Sequence, residues 1–272
     1  MFWFPALVLY GQSPATNFFV KGRVVDSTGK AIPYVNIGIK EKNIGTVSDI
    51  TGNFEIKITS SYLTEKLEIS SIGYQHQVLA LQQLASADSN KLIEIRLAAT
   101  YQQLQDVVIT PKELRVKVLG NTTKSKFLSG GFSSSDLGAE AGTHIKIKRP
   151  SHLEKVDFHI SYNKLDSIKV RLNIYAMKNK ELGENILPEN VIINLGNKQT
   201  GNIEIDLSKY NLVAKDDILV ALELVEVKGD AKSSVFVSSS ILGTPTYYRE
   251  TSQAKWKIYK GLSIGINITV KY

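Results

Sequence analysis

No cysteine occurs anywhere in the 272 residues. That absence excludes disulfides, a thiolate nucleophile, thiolate-bound metal and a lipid-modified cysteine as membrane anchor. Long hydrophobic runs are also missing. The apolar stretch Phe2–Tyr10 is too short to cross a bilayer, which needs about 20 apolar residues. Followed by Gly11-Gln-Ser-Pro-Ala15, it reads as the remnant of a signal peptide (1–15) without its basic n-region, since Lys21 is the first basic residue. No later segment is apolar enough for a transmembrane helix. A strong charge bias is missing from the folded parts as well. The net charge is +7. Residues 16–110 balance nine basic against nine acidic groups, while the short stretch 111–130 carries five against one. Nucleic-acid binding wants a basic face with interleaved aromatics, and neither half has one, so no nucleic-acid partner is expected.

What the sequence does have is alternation. Val20, Gly22 and Val24 alternate with Lys21 and Arg23; Val35, Ile37 and Ile39 alternate with Asn36 and Gly38. Phe54, Ile56 and Ile58, then Leu67 and Ile69, repeat the pattern. A period of two is a strand with one buried face. The runs are separated by Asp26-Ser-Thr-Gly29, Ser48-Asp-Ile-Thr-Gly52 and Ile72-Gly-Tyr74. In such turns glycine takes positive φ, and aspartate accepts from backbone N–H groups two residues on. Pro33 stands at a strand entrance, where its missing N–H costs little. The spacing predicts a small antiparallel sandwich.

These residues resemble the pattern of the carboxypeptidase-like regulatory domain, a prealbumin-like seven-stranded sandwich found in cell-envelope proteins of the Bacteroidetes. The match runs through Val20, Gly22, Val24, Asp26, Gly29, Ile32 and Pro33, then Gly45, Thr46, Ser48, Asp49, Gly52 and Phe54, and ends on Ile69, Ser70, Gly73 and Tyr74. Leu104-Gln-Asp-Val-Val-Ile-Thr110 resembles the strand that often follows, with Asp106 where glutamate is usual. The resemblance implies a first domain over 16–110 and an envelope location: periplasm, outer-membrane associated or cell surface.

Stretch 111–130 opens on proline and reads as a basic linker or an entry strand. From Gly131 alternation returns, at Ile145–Ile147, Val156–Tyr162, Ile168–Ile174 and Ile203–Leu207. Ile218–Val227 is almost continuously apolar and so reads as a central strand. Roughly eight to ten strands are expected, most simply as a second, jelly-roll-like β-sandwich over 131–272. A small outer-membrane barrel is the competing architecture, because the chain closes on alternating residues and Tyr272. A 22-stranded transporter barrel has no room in the 162 residues after Thr110.

Chemistry is sparse. A zinc carboxypeptidase needs H-x-x-E, and none of the four histidines has glutamate at the third following position. His144, His152 and His159 are close in sequence, but His144 and His159 fall on polar strand faces, so no metal site is expected. Ser133-Ser-Ser135 lacks the G-x-S-x-G elbow of a serine hydrolase. Asp49–Glu55 lacks the ligand spacing of a calcium loop. No catalytic residue and no cofactor are assigned. The ligand candidate is the segment holding Tyr247, Tyr248, Arg249, Trp256 and Tyr259, since aromatics on a sandwich rim suit sugar or peptide recognition. The competing reading of these rings is core packing. The expectation is a non-catalytic envelope binding or scaffolding protein with a glycan, peptide or outer-membrane protein as partner. The alternatives are an accessory hydrolase or an adhesion module.

Overall fold

The computed structural model describes residues 16–85, 92–100, 115–179, 181–230 and 233–272. The apolar run at 2–10, the strand expected at 107–109 and the family-like Asp106 lie outside the described residues.

The first half is the predicted seven-stranded sandwich. Its strands are β1 (Asn17–Asp26), β2 (Asn36–Ile39), β3 (Gly45–Val47), β4 (Asn53–Thr59), β5 (Lys66–Ser70), β6 (Gln77–Ala80) and β7 (Ile93–Leu97), with one helical turn α1 (Leu81–Ala85). They form a three-stranded sheet β4-β1-β7 and a four-stranded sheet β3-β2-β5-β6. Val24, Ile37, Ile58, Leu67 and Ile69 are fully buried between them. Each such side chain contributes about 1.5–3 kcal/mol relative to exposure. Two aspartates shape the turns in the same way. Asp26 Oδ1 accepts from the Thr28 amide (2.8 Å), the Thr28 hydroxyl (2.6 Å) and the Lys30 amide (3.0 Å). Asp49 Oδ1 accepts from Thr51 and Asn53 at 2.7–2.9 Å. Gly29 and Gly52 take φ of +87° and +79°, where a Cβ is strained.

The second half contains β8 (Val116–Gly120), β9 (Ser129–Ser133), β10 (Glu140–Ile145), β11 (Ser151–Asn163), β12 (Ser167–Lys178), β13 (Glu181–Asn185), β14 (Val191–Leu195) and β15 (Gly201–Asp206). It continues with β16 (Val213–Ala214), β17 (Asp217–Lys228), β18 (Ser234–Ser240), β19 (Thr246–Arg249), β20 (Lys257–Tyr259), β21 (Ser263–Ile264) and β22 (Ile266–Lys271). One sheet runs β13-β12-β17-β10-β19-β20 with β14 beside β12; the other runs β21-β18-β11-β22-β8 with β9, β15 and β16 attached. Both sheets are open-edged, so the second half is a sandwich and not a closed barrel. It has more strands than the eight to ten expected: β13, β14 and β16 are short and largely half-buried, which blurs their period, while β15 keeps the alternation expected at Ile203–Leu207. Tyr162 breaks the alternation of β11: a register shift between Ile160 and Tyr162 leaves its side chain exposed. β17 is central between β12 and β10, as its apolar run implies. Within the stretch 111–130, Val116–Gly120 is β8, which pairs with the last strand β22.

Candidate functional site

Side chains along a strand alternate between faces, and this alternation builds the site. On β12, Val170, Leu172 and Ile174 enter the core, so Lys169, Arg171, Asn173 and Tyr175 stand on the opposite face of the sheet. On that face Arg171 pairs in register with Glu223 of β17, Glu223 with Glu140 of β10, and Glu140 with Arg249 of β19. The result is a row of four charges, positive-negative-negative-positive, across four strands. Arg171 donates to Glu223 Oε2 through Nε (2.9 Å) and Nη2 (2.7 Å). Arg249 Nη2 lies 2.7 Å from Glu140 Oε2. Asn173 sits between the carboxylates and donates to Glu140 Oε1 and Glu223 Oε2, both at 2.8 Å. All four charged side chains are 10% exposed or less. Burial, with the neighbouring Glu223 charge, pushes the Glu140 carboxyl up against the opposing pull of Arg249 and Asn173. Glu223 Oε1 is buried without a hydrogen-bond partner among the described residues.

The N-terminal sandwich sits on this row. Arg171 Nη1 donates to the Tyr34 carbonyl (2.7 Å), and Nη2 donates to Asn36 Oδ1 (2.5 Å). The Tyr34 hydroxyl donates to Glu226 (2.8 Å), and Lys169 donates to that hydroxyl (2.6 Å). Burial pushes the Tyr34 phenol up. From the other side, the Gln253 carbonyl accepts from the Glu41 amide, Gln253 Nε2 donates to Ser70, and Asn43 reaches Glu250. Gly38 and Gly45 give the Ser252 carbonyl room to approach the first domain.

Between the halves lies a cleft of about 480 Å³. Asn36, Ser70, Ser71, Tyr74, Gln75 and His76 line one wall; Arg171, Asn173, Tyr175, Glu184, Asn185, Arg249 and Gln253 line the other. Most of these are amides, hydroxyls or phenols. Such a lining offers both donors and acceptors to a neutral polar ligand. Ser71 Oγ is buried with no partner among the described residues. His76 lies 3.5 Å from Glu68.

The five residues singled out from sequence do not form one rim. β19 and β20 pair Thr246 with Tyr259, Tyr247 with Ile258 and Tyr248 with Lys257, so period two divides them. Tyr248 and Tyr259 share one face, and Tyr259 is 56% exposed. Tyr247, Arg249 and Trp256 take the other, where Tyr247 and Trp256 pack against Met177, Leu219 and Ala221. Trp256 stacks edge-on against Tyr175 with Arg249 over its ring. Of the five, Arg249 lines the cleft. The remaining cleft residues come from strands and turns far apart in the chain, and of them Ser70, Gly73 and Tyr74, in the pattern that ends on the G-Y turn, carry a local signal. Two of the histidines weighed as metal ligands have other partners: His144 meets Asp217 at 2.7 Å, and His159 meets Ser238 at 2.8 Å.

The fold defines a two-sandwich, all-β protein. Residues 20–109 match the model of the CarboxypepD_reg-like domain, so the N-terminal sandwich is a domain of that family. The chain is 28% identical over 152 residues to the TonB-dependent receptor SusC of Bacteroides thetaiotaomicron, covering 51% of this chain and 15% of the receptor. It is 31% identical over 103 residues to the TonB-dependent receptor P39 of Formosa agariphila, covering 37% of this chain and 9% of the receptor. The chain thus spans only a small part of either receptor's length. Among solved structures, the cysteine protease and lectin-like domains of Cwp84 from Clostridium difficile align at a TM-score of 0.33 and 12% identity, over 53% of this chain and 36% of that one. A likeness at that level bears on neither fold nor function.

Proposed function

We propose that this chain is a non-catalytic binding module of the bacterial cell envelope whose interdomain cleft takes a short carbohydrate. The observation that carries the reading is the cleft itself. Gln75 and Gln253 offer amide donors and acceptors, and Tyr74 and Tyr175 offer ring surface. That combination suits a ligand bearing many hydroxyls and apolar ring faces. Similarity to two TonB-dependent receptors supports the envelope location. Among the described cleft residues Ser70 Oγ accepts from Gln253, Ser71 Oγ has no hydrogen-bond partner, and His76 lies 3.5 Å from Glu68, an arrangement that supports binding over hydrolysis.

The test is a glycan and peptide array probed with the full chain, followed by calorimetry on any hit. Gln75 and Glu184 are exposed cleft residues outside the buried charge row. Gln75→Ala and Glu184→Ala are expected to weaken a glycan about tenfold each, at about 1.4 kcal/mol, without moving the melting temperature. A chain that binds peptides and no glycan, or a glycan affinity indifferent to both substitutions, would overturn the reading.

A further inference from the structure

The far end of the C-terminal sandwich carries features that the cleft does not use. Phe127 is 97% exposed, Leu242 86% and Ile241 68%. The three lie together. β9 and β18 pair Ser129 with Ser238, and Ser239 continues the ladder by donating to the Leu128 carbonyl. The ladder thus brings the turn that holds Phe127, one residue before Leu128, to the start of the segment Ser240–Leu242. The tip is held firmly. Asn121 Nδ2 donates to Ser240 Oγ (2.9 Å) and to the Ser263 carbonyl (2.8 Å), tying three segments together. Ser125 Oγ accepts from the Phe127 and Leu128 amides, a turn that presents the Phe127 ring outward. Large apolar side chains on a built, hydrogen-bonded tip mark a contact surface.

The charge around the tip has one sign. Segments 121–130, 238–246 and 259–265 contain Lys124, Lys126 and Lys260 and no acidic residue. Beside the tip a groove of about 540 Å³ is lined by Leu242, Asn121, His144, Lys146 and Lys148. Asp217, the carboxylate that meets the groove residue His144, is taken up by His144 Nε2 and the Ile147 amide. From this pole at Thr246 the chain follows β19 to Arg249 and continues to the interdomain contact at Gln253. The N-terminal sandwich therefore leaves the tip uncovered.

We propose that this pole docks on an anionic phospholipid surface: Phe127, Ile241 and Leu242 enter the headgroup–acyl boundary, and Lys124, Lys126, Lys146 and Lys148 face the headgroup phosphates. Apolar anchors ringed by lysines bind membranes by combined burial and attraction, neither being sufficient alone. Each lysine near an anionic surface adds about fivefold to the affinity at physiological salt.

The test is cosedimentation of the full chain with vesicles of phosphatidylcholine alone and of phosphatidylcholine mixed with phosphatidylglycerol. Binding to the mixed vesicles is expected to exceed binding to neutral ones by tenfold or more, and to fall with added salt. Phe127→Ser with Leu242→Ser should bring binding to background. Lys146→Gln with Lys148→Gln should lower it about 25-fold, fivefold for each lysine, and flatten the salt dependence. Ile50→Ser, an exposed position on the other domain, should bind like the parent. Equal binding to both vesicle types, or undiminished binding by the serine double variant, would overturn the proposal. So would no vesicle binding at all, the result expected of a tip that docks on a protein. Should the serine double variant fail to fold, the lysine pair decides in the same assay.

Discussion

Arg171 and Glu223 face each other across β12 and β17, and the same guanidinium reaches over to the Tyr34 carbonyl and Asn36 of the other domain. One residue thus neutralises a buried carboxylate and fastens the two sandwiches. Both side chains are almost fully withdrawn from water, at 2% and 0% exposure. A buried ion pair adds little net stability, but removing one partner leaves an uncompensated charge.

Arg171→Met should therefore destabilise the protein by about 3–5 kcal/mol in urea unfolding. Arg171→Met with Glu223→Leu should recover most of that loss, because no charge is then left stranded. A single variant losing under about 1 kcal/mol would show that the carboxylate finds another partner or stays solvated.

The fold was legible because its information is local. Val20, Gly22 and Val24 on β1, Phe54, Ile56 and Ile58 on β4, and Leu67 and Ile69 on β5 are buried at every second position, Asp26 and Asp49 sit two residues before the first amides they cap, and β17 reads as central from its nearly continuous apolar run. The cleft was not legible. Arg171 alternates with core residues like any surface charge on a strand, and only its register against Glu223 and its reach to Tyr34 give it a role. The aromatic segment shows the converse. Adjacent tyrosines looked like a shared surface, yet strand pleating sends Tyr247 and Tyr248 to opposite faces.

Close approach at the interdomain contact gives a second prediction. A Cβ at Gly45 would run into the Ser252 carbonyl, a backbone atom that cannot swing aside. Gly29 has open space around it but a φ of +87°. Gly45→Ala should cost about 1–3 kcal/mol, as overpacking does, and should speed tryptic cleavage by loosening the domain contact. Gly29→Ala should cost about 1 kcal/mol through backbone strain alone, with proteolysis unchanged. Equal effects of the two substitutions on proteolysis would show that Ser252 does not hold the domains.

Protonation of His159 supplies a third. Burial, aided by Lys124 and Lys126, lowers its pKa from 6.5. Its ring meets the Ser238 hydroxyl of β18, its backbone pairs with Asn202 of β15, and Ser238 in turn donates to the Ser125 carbonyl. The folded state binds fewer protons than the unfolded state just below 6.5, so stability holds above that pH and is lost as pH falls through the window beneath it. Melting temperature should therefore decline on going from about pH 7.5 to about pH 5. His159→Gln should remove part of the decline, and an identical profile for the variant would reject the assignment.

The division of the aromatic segment gives the last. Trp256 packs against Met177, Leu219 and Tyr175 under the Arg249 guanidinium, so its removal opens a void beside the buried charge row. Tyr259 lies on the opposite face and is 56% exposed. Trp256→Ala should destabilise by about 2–4 kcal/mol, a little below the usual cost of about 3–5 kcal/mol because the ring is only partly buried. Tyr259→Ala should stay within about 0.5 kcal/mol. The ligand assay separates the roles further. Trp256 props Arg249 and Tyr175, both cleft residues, so Trp256→Phe should weaken cleft binding modestly while keeping most of the stability. Tyr259→Ala should leave cleft binding untouched. Loss of binding in the Tyr259 variant, with the fold intact, would move the recognition surface to the exposed face of β19 and β20 and away from the cleft.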